Sequence, residues 1–165
     1  MKIRKLAGAA FALLLAVAAT GCDNPFDSDK FHREELARAR ALWSREGGSS
    51  YTFTLEMQCY CAAGTSLAPV SVTVRNGQPV SRIYKTADPT DPAIPASPEL
   101  FWPYDTVDEL FGVIEDAIDR DANVLQVGYN DQKGFPEVVN LDLEGGTTND
   151  QRILFVTDLV LTPAS

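Results

Sequence analysis

The sequence has 165 residues with 14 basic and 23 acidic side chains, so its formal charge at pH 7 is −9. This length fits one domain, and 45% hydrophobic with 22% charged residues is the composition of an ordinary globular protein, which excludes general disorder and a multi-span membrane protein. The acidic balance, without a basic stripe, disfavours nucleic acid as a partner because phosphates are bound by clustered Lys and Arg.

The amino terminus has the pattern of an export signal. A short basic start, Met1 to Lys5, precedes an apolar run from Leu6 to Ala19. This run is shorter than the roughly 20 residues that a membrane-spanning helix needs. We therefore expect residues 1–21 to be a signal peptide that is removed after export.

The signal ends in Ala19-Thr20-Gly21-Cys22, which resembles the lipobox of bacterial lipoproteins. The resemblance implies that Cys22 becomes the new amino terminus and carries a diacylglyceryl group, often with a further acyl chain such as palmitate. The alternative is an ordinary secretory signal with a chance Cys, which would leave an unpaired thiol in an oxidising compartment. Lipidation is the favoured interpretation.

Acyl chains would hold the protein on a membrane, at about 0.8 kcal/mol for each buried methylene. Without the leader the chain has 11 basic and 23 acidic residues, a formal charge of −12, so anionic headgroups would repel it and the lipid must supply the attachment. Asp23 resembles the signal that retains some lipoproteins on the inner membrane. We expect a location in the cell envelope, on the periplasmic side of the inner membrane or on the outer membrane.

Residues 22–30 are predicted to be the lipidated Cys and a polar tether, and residues 31–162 to be a single domain. The domain begins with a helix over Phe31–Glu46, because apolar side chains recur on one face and Gly47-Gly48 can close the helix. The residues of this apolar face are Leu36, Ala39 and Trp43.

Three strands are predicted next. Tyr51 to Cys59 alternates apolar and polar residues, which indicates a strand with one buried face. Val70 to Arg75 alternates in the same way, Asn76-Gly77 favours a tight hairpin turn, and Val80 to Tyr84 returns as the third strand.

Residues 86–105 contain five prolines and are predicted to be an extended loop. The loop ends with three aromatic residues, Phe101, Trp102 and Tyr104. One interpretation is an exposed patch that binds a partner, since rigid aromatic surface is a common binding anchor. The other is that these side chains fold back as a lid over the core.

Thr106 and Glu109 form a capping box, which predicts a second helix that ends near Arg120. Strand patterns follow at Val124–Tyr129, Val138–Leu143 and Ile153–Leu161. The order α-β-β-β-α-β-β-β predicts an α+β domain, with a mainly antiparallel sheet of about six strands and two helices packed on one face.

Cys59 and Cys61 are the remaining thiols if Cys22 is lipidated. A structural short-loop disulfide, two reduced buried thiols, and a redox or soft-metal role are the three alternatives. Residues two apart in a strand have Cα atoms about 6.6 Å apart, so a disulfide would need a local kink. A metal site normally has three or four ligands, and the sole histidine, His32, lies far away in sequence.

The segment from Asp88 to Asp121 is strongly acidic, with Arg120 as its only basic residue. Such a surface would attract a basic partner or a divalent cation, or it would simply be a solvated face that favours solubility. No EF-hand spacing is present in the segment.

Several short motifs together resemble the bacterial envelope proteins grouped as domain of unknown function 6174. The resemblance covers roughly Leu42 to Leu161, and its most specific parts are the Cys-x-Cys and Gly-Phe-Pro motifs. It implies a compartment and a fold, and it implies no activity. The motifs are Leu42-Trp43, Ser50–Phe53, Cys59-Tyr60-Cys61, Val72–Gly77, Thr106–Phe111, Tyr129-Asn130 and Gly134-Phe135-Pro136.

The sequence has no nucleophile elbow, zinc-protease motif, phosphate loop or dinucleotide fingerprint, so neither enzymatic activity nor a cofactor is predicted. The favoured hypothesis is a lipid-anchored envelope module that binds a partner, such as another envelope protein, through a sheet face or the Pro-rich loop. The alternative is a thiol-redox or metal-handling protein that uses Cys59 and Cys61, which requires accessible sulfur atoms.

Overall fold

The computed structural model describes residues 28–59, 67–88, 90–145 and 151–163. The helices and strands follow the predicted order, and the predicted α+β class is confirmed. The predicted signal peptide, Cys22 and Cys61 lie outside the described residues. The elements are helices α1 (Ser28–Glu46) and α2 (Val107–Asp119), and strands β1 (Tyr51–Cys59), β2 (Leu67–Arg75), β3 (Gln78–Tyr84), β4 (Val124–Tyr129), β5 (Pro136–Asp142) and β6 (Arg152–Leu161).

The six strands form one antiparallel sheet in the order β3-β2-β1-β6-β5-β4. The first and last strands, β1 and β6, are therefore neighbours in the middle of the sheet. Sequence periodicity shows which residues form strands, but this central pairing joins segments about one hundred residues apart. Pairing over such a distance makes the two halves of the chain a single folding unit.

Both helices pack on the same face of the sheet. Along β1, Tyr51, Phe53, Leu55 and Met57 are buried, and the intervening residues are more exposed. The Trp43 ring of α1 meets the Tyr51 ring edge-on, with centroids 5.3 Å apart. This core face matches the predicted alternation, and burying each large apolar side chain stabilises the fold by about 1.5 to 3 kcal/mol.

Helix α1 begins at Ser28, three residues before the predicted start at Phe31. Asp29 lies in the first turn, where a negative charge is favoured by the partial positive charge of the free backbone N–H groups. Phe31 is 59% exposed, so it is not the first residue of an apolar face. Helix α1 thus includes residues 28–30 of the predicted tether, and the domain boundary at residue 31 stays a prediction.

The β2–β3 turn has the predicted geometry. Asn76 and Gly77 have φ angles of 50° and 76°, the left-handed values that a two-residue hairpin turn requires. Because the turn is this tight, pairing continues to Arg75 and Gln78, and β3 begins two residues before the predicted Val80.

The Gly-Phe-Pro motif fixes the β4–β5 loop onto α1. Gly134 has a φ of 82°, and a Cβ atom there would overlap the backbone oxygen of Ala39. Phe135 is buried and its ring lies 6.4 Å from that of Trp43. The side-chain oxygen of Asn130 accepts the N–H of Lys133 at 2.8 Å, which orders the loop. The motif thus has a structural role.

Within the described residues, no helix combines the length and the apolar character that crossing a membrane would require.

Candidate functional site

The Pro-rich loop, described over residues 86–88 and 90–105, first runs along β3, the edge strand of the sheet. The N–H of Tyr84 donates to the oxygen of Ile94, and the N–H of Ala96 donates to the oxygen of Arg82, both at 2.9 Å. These bonds cover the edge of β3, which would otherwise present unpaired backbone groups. The loop then forms a short 3-10 turn at Pro98–Leu100 and enters the domain at Phe101.

The three aromatic residues of the loop have different surroundings. Phe101 is fully buried, and its ring lies 6.2 Å from that of Tyr84. The expectation of an exposed patch is therefore wrong for Phe101, which belongs to the core because its ring fills space beneath the loop. Tyr104 is partly buried, whereas Trp102 is 69% exposed. Trp102 and Tyr104 remain available as predicted partner-binding residues.

Trp102, Pro103 and Tyr104 form one wall of a groove with a volume of about 420 Å³. Helix α2 forms the opposite wall, and the end of β5 with the start of β6 completes the site. We call this site the loop–helix groove. Its other lining residues are Glu109, Gly112, Val113, Asp116, Leu141, Leu143 and Arg152.

Gly112 lies in the middle of α2 and faces the groove. A Cβ atom placed on Gly112 would meet no atom within 4 Å, so packing does not require a glycine here. A glycine inside a helix is less stable than alanine by about 0.5 to 1 kcal/mol. Because Gly112 has no side chain, the groove stays open along the backbone of α2.

Asp105 and Arg82 form a buried ion pair behind the groove. The side chain of Asp105 is fully buried, that of Arg82 is 12% exposed, and Nε and Nη2 of Arg82 both contact Oδ2 of Asp105. A buried carboxylate needs such a partner, because a charge without one is strongly unfavourable in the interior. The pair joins β3 to the residue that precedes the cap of α2.

The carboxyl group of Glu109 lies beside that of Asp105. Burial, hydrogen bonding with the Asp105 carboxyl group and the negative charge of Asp105 raise the pKa of Glu109 to about 7. Oε2 of Glu109 and Oδ1 of Asp105 are buried and accept no hydrogen bond from the described residues. A proton on Glu109 can lie between the two groups. Glu109 thus brings to the groove a carboxyl group that is neutral at mildly acidic pH.

The cap of α2 determines where Glu109 lies. The N–H of Glu109 donates to Oγ1 of Thr106 at 3.1 Å, so this half of the predicted capping box is confirmed. From the sequence, Glu109 is predicted only as part of the cap and not as part of a site. The signal that was available is the i, i+4 spacing of Asp105 and Glu109, which brings two carboxyl groups together at the first turn of a helix.

The acidic segment is partly neutralised by α1. Arg33 contacts Asp119 at 2.7 Å, and Arg40 contacts Glu115 at 2.8 Å. These pairs turn much of the acidic surface of α2 toward arginines of the same chain. In the part of the chain that the structure describes, no three His, Cys, Asp or Glu side chains are placed to hold a metal ion.

Cys59 is the last residue of β1 and is partly buried against the core. Its predicted partner Cys61 and the predicted lipidation site Cys22 lie outside the described residues. Cys59 follows the alternation of Tyr51, Phe53, Leu55 and Met57, as the sequence predicts. The thiol-redox and metal hypotheses require sulfur atoms that reach solvent, and this core-facing position does not favour them.

No match is found among curated proteins or among solved structures. The model of a family of unknown function, DUF6174, matches residues 35–161. The matched range contains most of α1, the whole sheet, α2 and every residue of the loop–helix groove. The chain therefore belongs to the DUF6174 family of unknown function.

Proposed function

We propose that this protein is a lipid-anchored module of the bacterial cell envelope that binds a partner protein in the loop–helix groove. The observation that carries the proposal is Trp102, which is 69% exposed on the rim of a mostly apolar groove. Tryptophan is enriched among the residues that dominate binding energy, and a large exposed apolar surface beside a concave site favours an interaction. The other tryptophan, Trp43, is buried in the core.

The groove favours binding over catalysis. Its polar members are Glu109, Asp116 and Arg152, and none of them is a nucleophile placed beside a base. Apolar walls with a few polar groups are typical of sites that recognise a ligand. Trp102 and Gly112 fit such a role. Trp102 supplies surface for contact with a ligand, and Gly112, which has no side chain, leaves space for the ligand.

The proposed anchor rests on the sequence of residues 1–22. Helix α1 begins at Ser28, so Cys22 is separated from the folded domain by only five residues. A connection of this length spans at most about 20 Å when fully extended. Lipid on Cys22 would therefore keep the domain close to the membrane surface, where its partners would be other proteins of the envelope.

The anchor is tested by labelling growing cells with radioactive palmitate and separating membranes from soluble protein. We expect the wild-type protein to be labelled and to sediment with membranes, and Cys22→Ala to lose both properties. Cys61→Ser is the control, since it replaces a different cysteine. Exported protein that is free of membranes and has an unmodified Cys22 would contradict the anchor.

Binding is tested by placing a photo-crosslinking amino acid at position 102 in living cells. The matched control is position 160, because Val160 is also an exposed apolar residue, at 62%, and lies outside the groove. We expect a discrete adduct from position 102 and none from position 160. The binding proposal fails if position 102 gives no adduct, or if both positions give the same one.

A further inference from the structure

We infer that the partner of the loop–helix groove is an extended peptide segment that carries a basic side chain next to an apolar one. The inference rests on the proposed function and deepens it by naming the chemistry of the ligand. The apolar side chain would pack against Trp102 and Val113. The Lys or Arg side chain would lie along α2, beside Glu109 and Asp116.

The size and the walls of the groove indicate a chain segment with side chains. About 420 Å³ falls within the range of sites that enclose small ligands, roughly 300 to 1,000 Å³. Pro103, Val113, Leu141 and Leu143 supply apolar wall, and a lone ion would leave that surface in contact with water. The open backbone at Gly112 allows a main chain to approach α2 closely.

The charges in the groove select a basic group on the α2 side. Glu109 and Asp116 line that side, seven residues and therefore two turns apart along α2, and the chain as a whole has a formal charge of −9. Asp116 has a partner, Arg120, at 3.4 Å, but this pair is exposed on both sides and contributes little. An acidic protein attracts basic partners and orients them during encounter.

Glu109 adds a specific acceptor. Its carboxyl group lines the groove beside Asp105. An ammonium or guanidinium group of the ligand beside Glu109 would favour its ionised form and would form a charge-assisted hydrogen bond with it. Arg152 also lines the groove, so a second basic group of the ligand would be disfavoured beside it.

The test is selection of phage-displayed random 12-residue peptides on the full-length protein, purified from membranes in detergent. Gly112→Leu serves for counter-selection, because leucine is a good helix former and its side chain would fill the groove. We expect the enriched peptides to place Lys or Arg within a few residues of a large apolar side chain. Their affinity should fall about tenfold or more in Trp102→Ala, as for a central aromatic anchor.

Two further variants separate charge from shape. We expect the combined variant Glu109→Gln with Asp116→Asn to bind the selected peptides with severalfold lower affinity. Val160→Ala changes an exposed apolar site outside the groove and should leave the affinity unchanged. Thermal unfolding of each variant confirms that it is folded. The inference is overturned if no peptide is enriched, if the enriched peptides lack basic residues, or if they bind Gly112→Leu as well as wild type. In those cases a groove-dependent adduct from position 102 in cells would still support the proposed function, and its absence would refute both.

Discussion

The phenolic oxygen of Tyr51, on β1, accepts the backbone N–H of Val107, the first residue of α2, at 2.9 Å. Thr106 accepts the N–H of Glu109 in the same turn, at 3.1 Å. The first N–H groups of a helix have no partner within the helix, so these two side chains satisfy groups that would otherwise be unpaired. The bond from Tyr51 fixes the start of α2, and with it one wall of the groove, to the centre of the sheet.

Replacing Tyr51 by Phe removes the hydroxyl group and leaves the buried N–H of Val107 without an acceptor. We expect the free energy of unfolding, measured by urea denaturation, to fall by about 1 to 3 kcal/mol. Tyr84→Phe is the control, because it removes the hydroxyl group of another tyrosine, which is partly buried and whose ring packs against Phe101. Equal losses in the two variants would show that the bond to Val107 contributes nothing specific.

Replacing Arg82 by Met leaves the fully buried carboxylate of Asp105 without its cation. Breaking a buried ion pair by removing one partner costs about 3 to 5 kcal/mol, whereas replacing both partners by apolar residues is often close to neutral. We expect Arg82→Met to be strongly destabilised in urea and Arg82→Met with Asp105→Leu to recover most of the loss. A double variant as unstable as the sum of its single variants would contradict this role for the pair.

Glu109 makes stability depend on pH. Its pKa is raised from 4.5 to about 7 in the folded protein, so between these values the folded state keeps a proton that the unfolded chain releases. The resulting contribution to the free energy of unfolding is complete below about pH 4.5 and is lost as the pH rises through about 7. We expect Glu109→Gln to remove this fall, so that the variant gains stability relative to wild type toward pH 8.

The measurement is urea denaturation at several pH values, with the difference between variant and wild type plotted against pH. Glu34→Gln is the control, because it makes the same change of charge on an exposed residue of α1. A difference that stays constant between pH 4.5 and 8 for Glu109→Gln would contradict the shared proton.

Alanine substitutions at Gly134 and Gly77 distinguish the cost of backbone strain from the cost of steric overlap. Both have positive φ angles, 82° and 76°, but only at Gly134 would a Cβ atom meet the backbone of α1. We expect Gly77→Ala to lose about 1 kcal/mol, the usual cost of a left-handed alanine, and Gly134→Ala to lose clearly more in thermal unfolding. Similar losses at the two positions would mean that the β4–β5 loop moves away from α1 without cost.

The sequence predicts those features that depend on residues close together in the chain. The alternation from Tyr51 to Cys59 predicts β1 because a strand turns successive side chains to opposite faces. Asn76-Gly77 and the cap at Thr106 are correctly predicted for the same reason, since their geometry is set within four residues. The family resemblance also proved correct, over residues 35–161.

Features that depend on distant residues were not predicted. The ion pair of Arg82 with Asp105 joins residues 23 apart, and the groove brings Trp102 to Arg152. Phe101 and Trp102 are adjacent aromatic residues in a loop without periodicity, so the sequence gives no reason for one to be buried and the other exposed. Tertiary packing decides such positions, and local pattern does not.

We propose that the open groove beside Trp102 binds the partner of this protein. The most direct measurement compares the photo-crosslinked adduct from position 102, in membranes, between wild type and Gly112→Leu. Leucine should increase the stability of α2, because it replaces a glycine in the helix interior, and should fill the groove. We predict that Gly112→Leu unfolds at a temperature at least as high as wild type and yields little or no adduct. An undiminished adduct from this stable variant would contradict the claim.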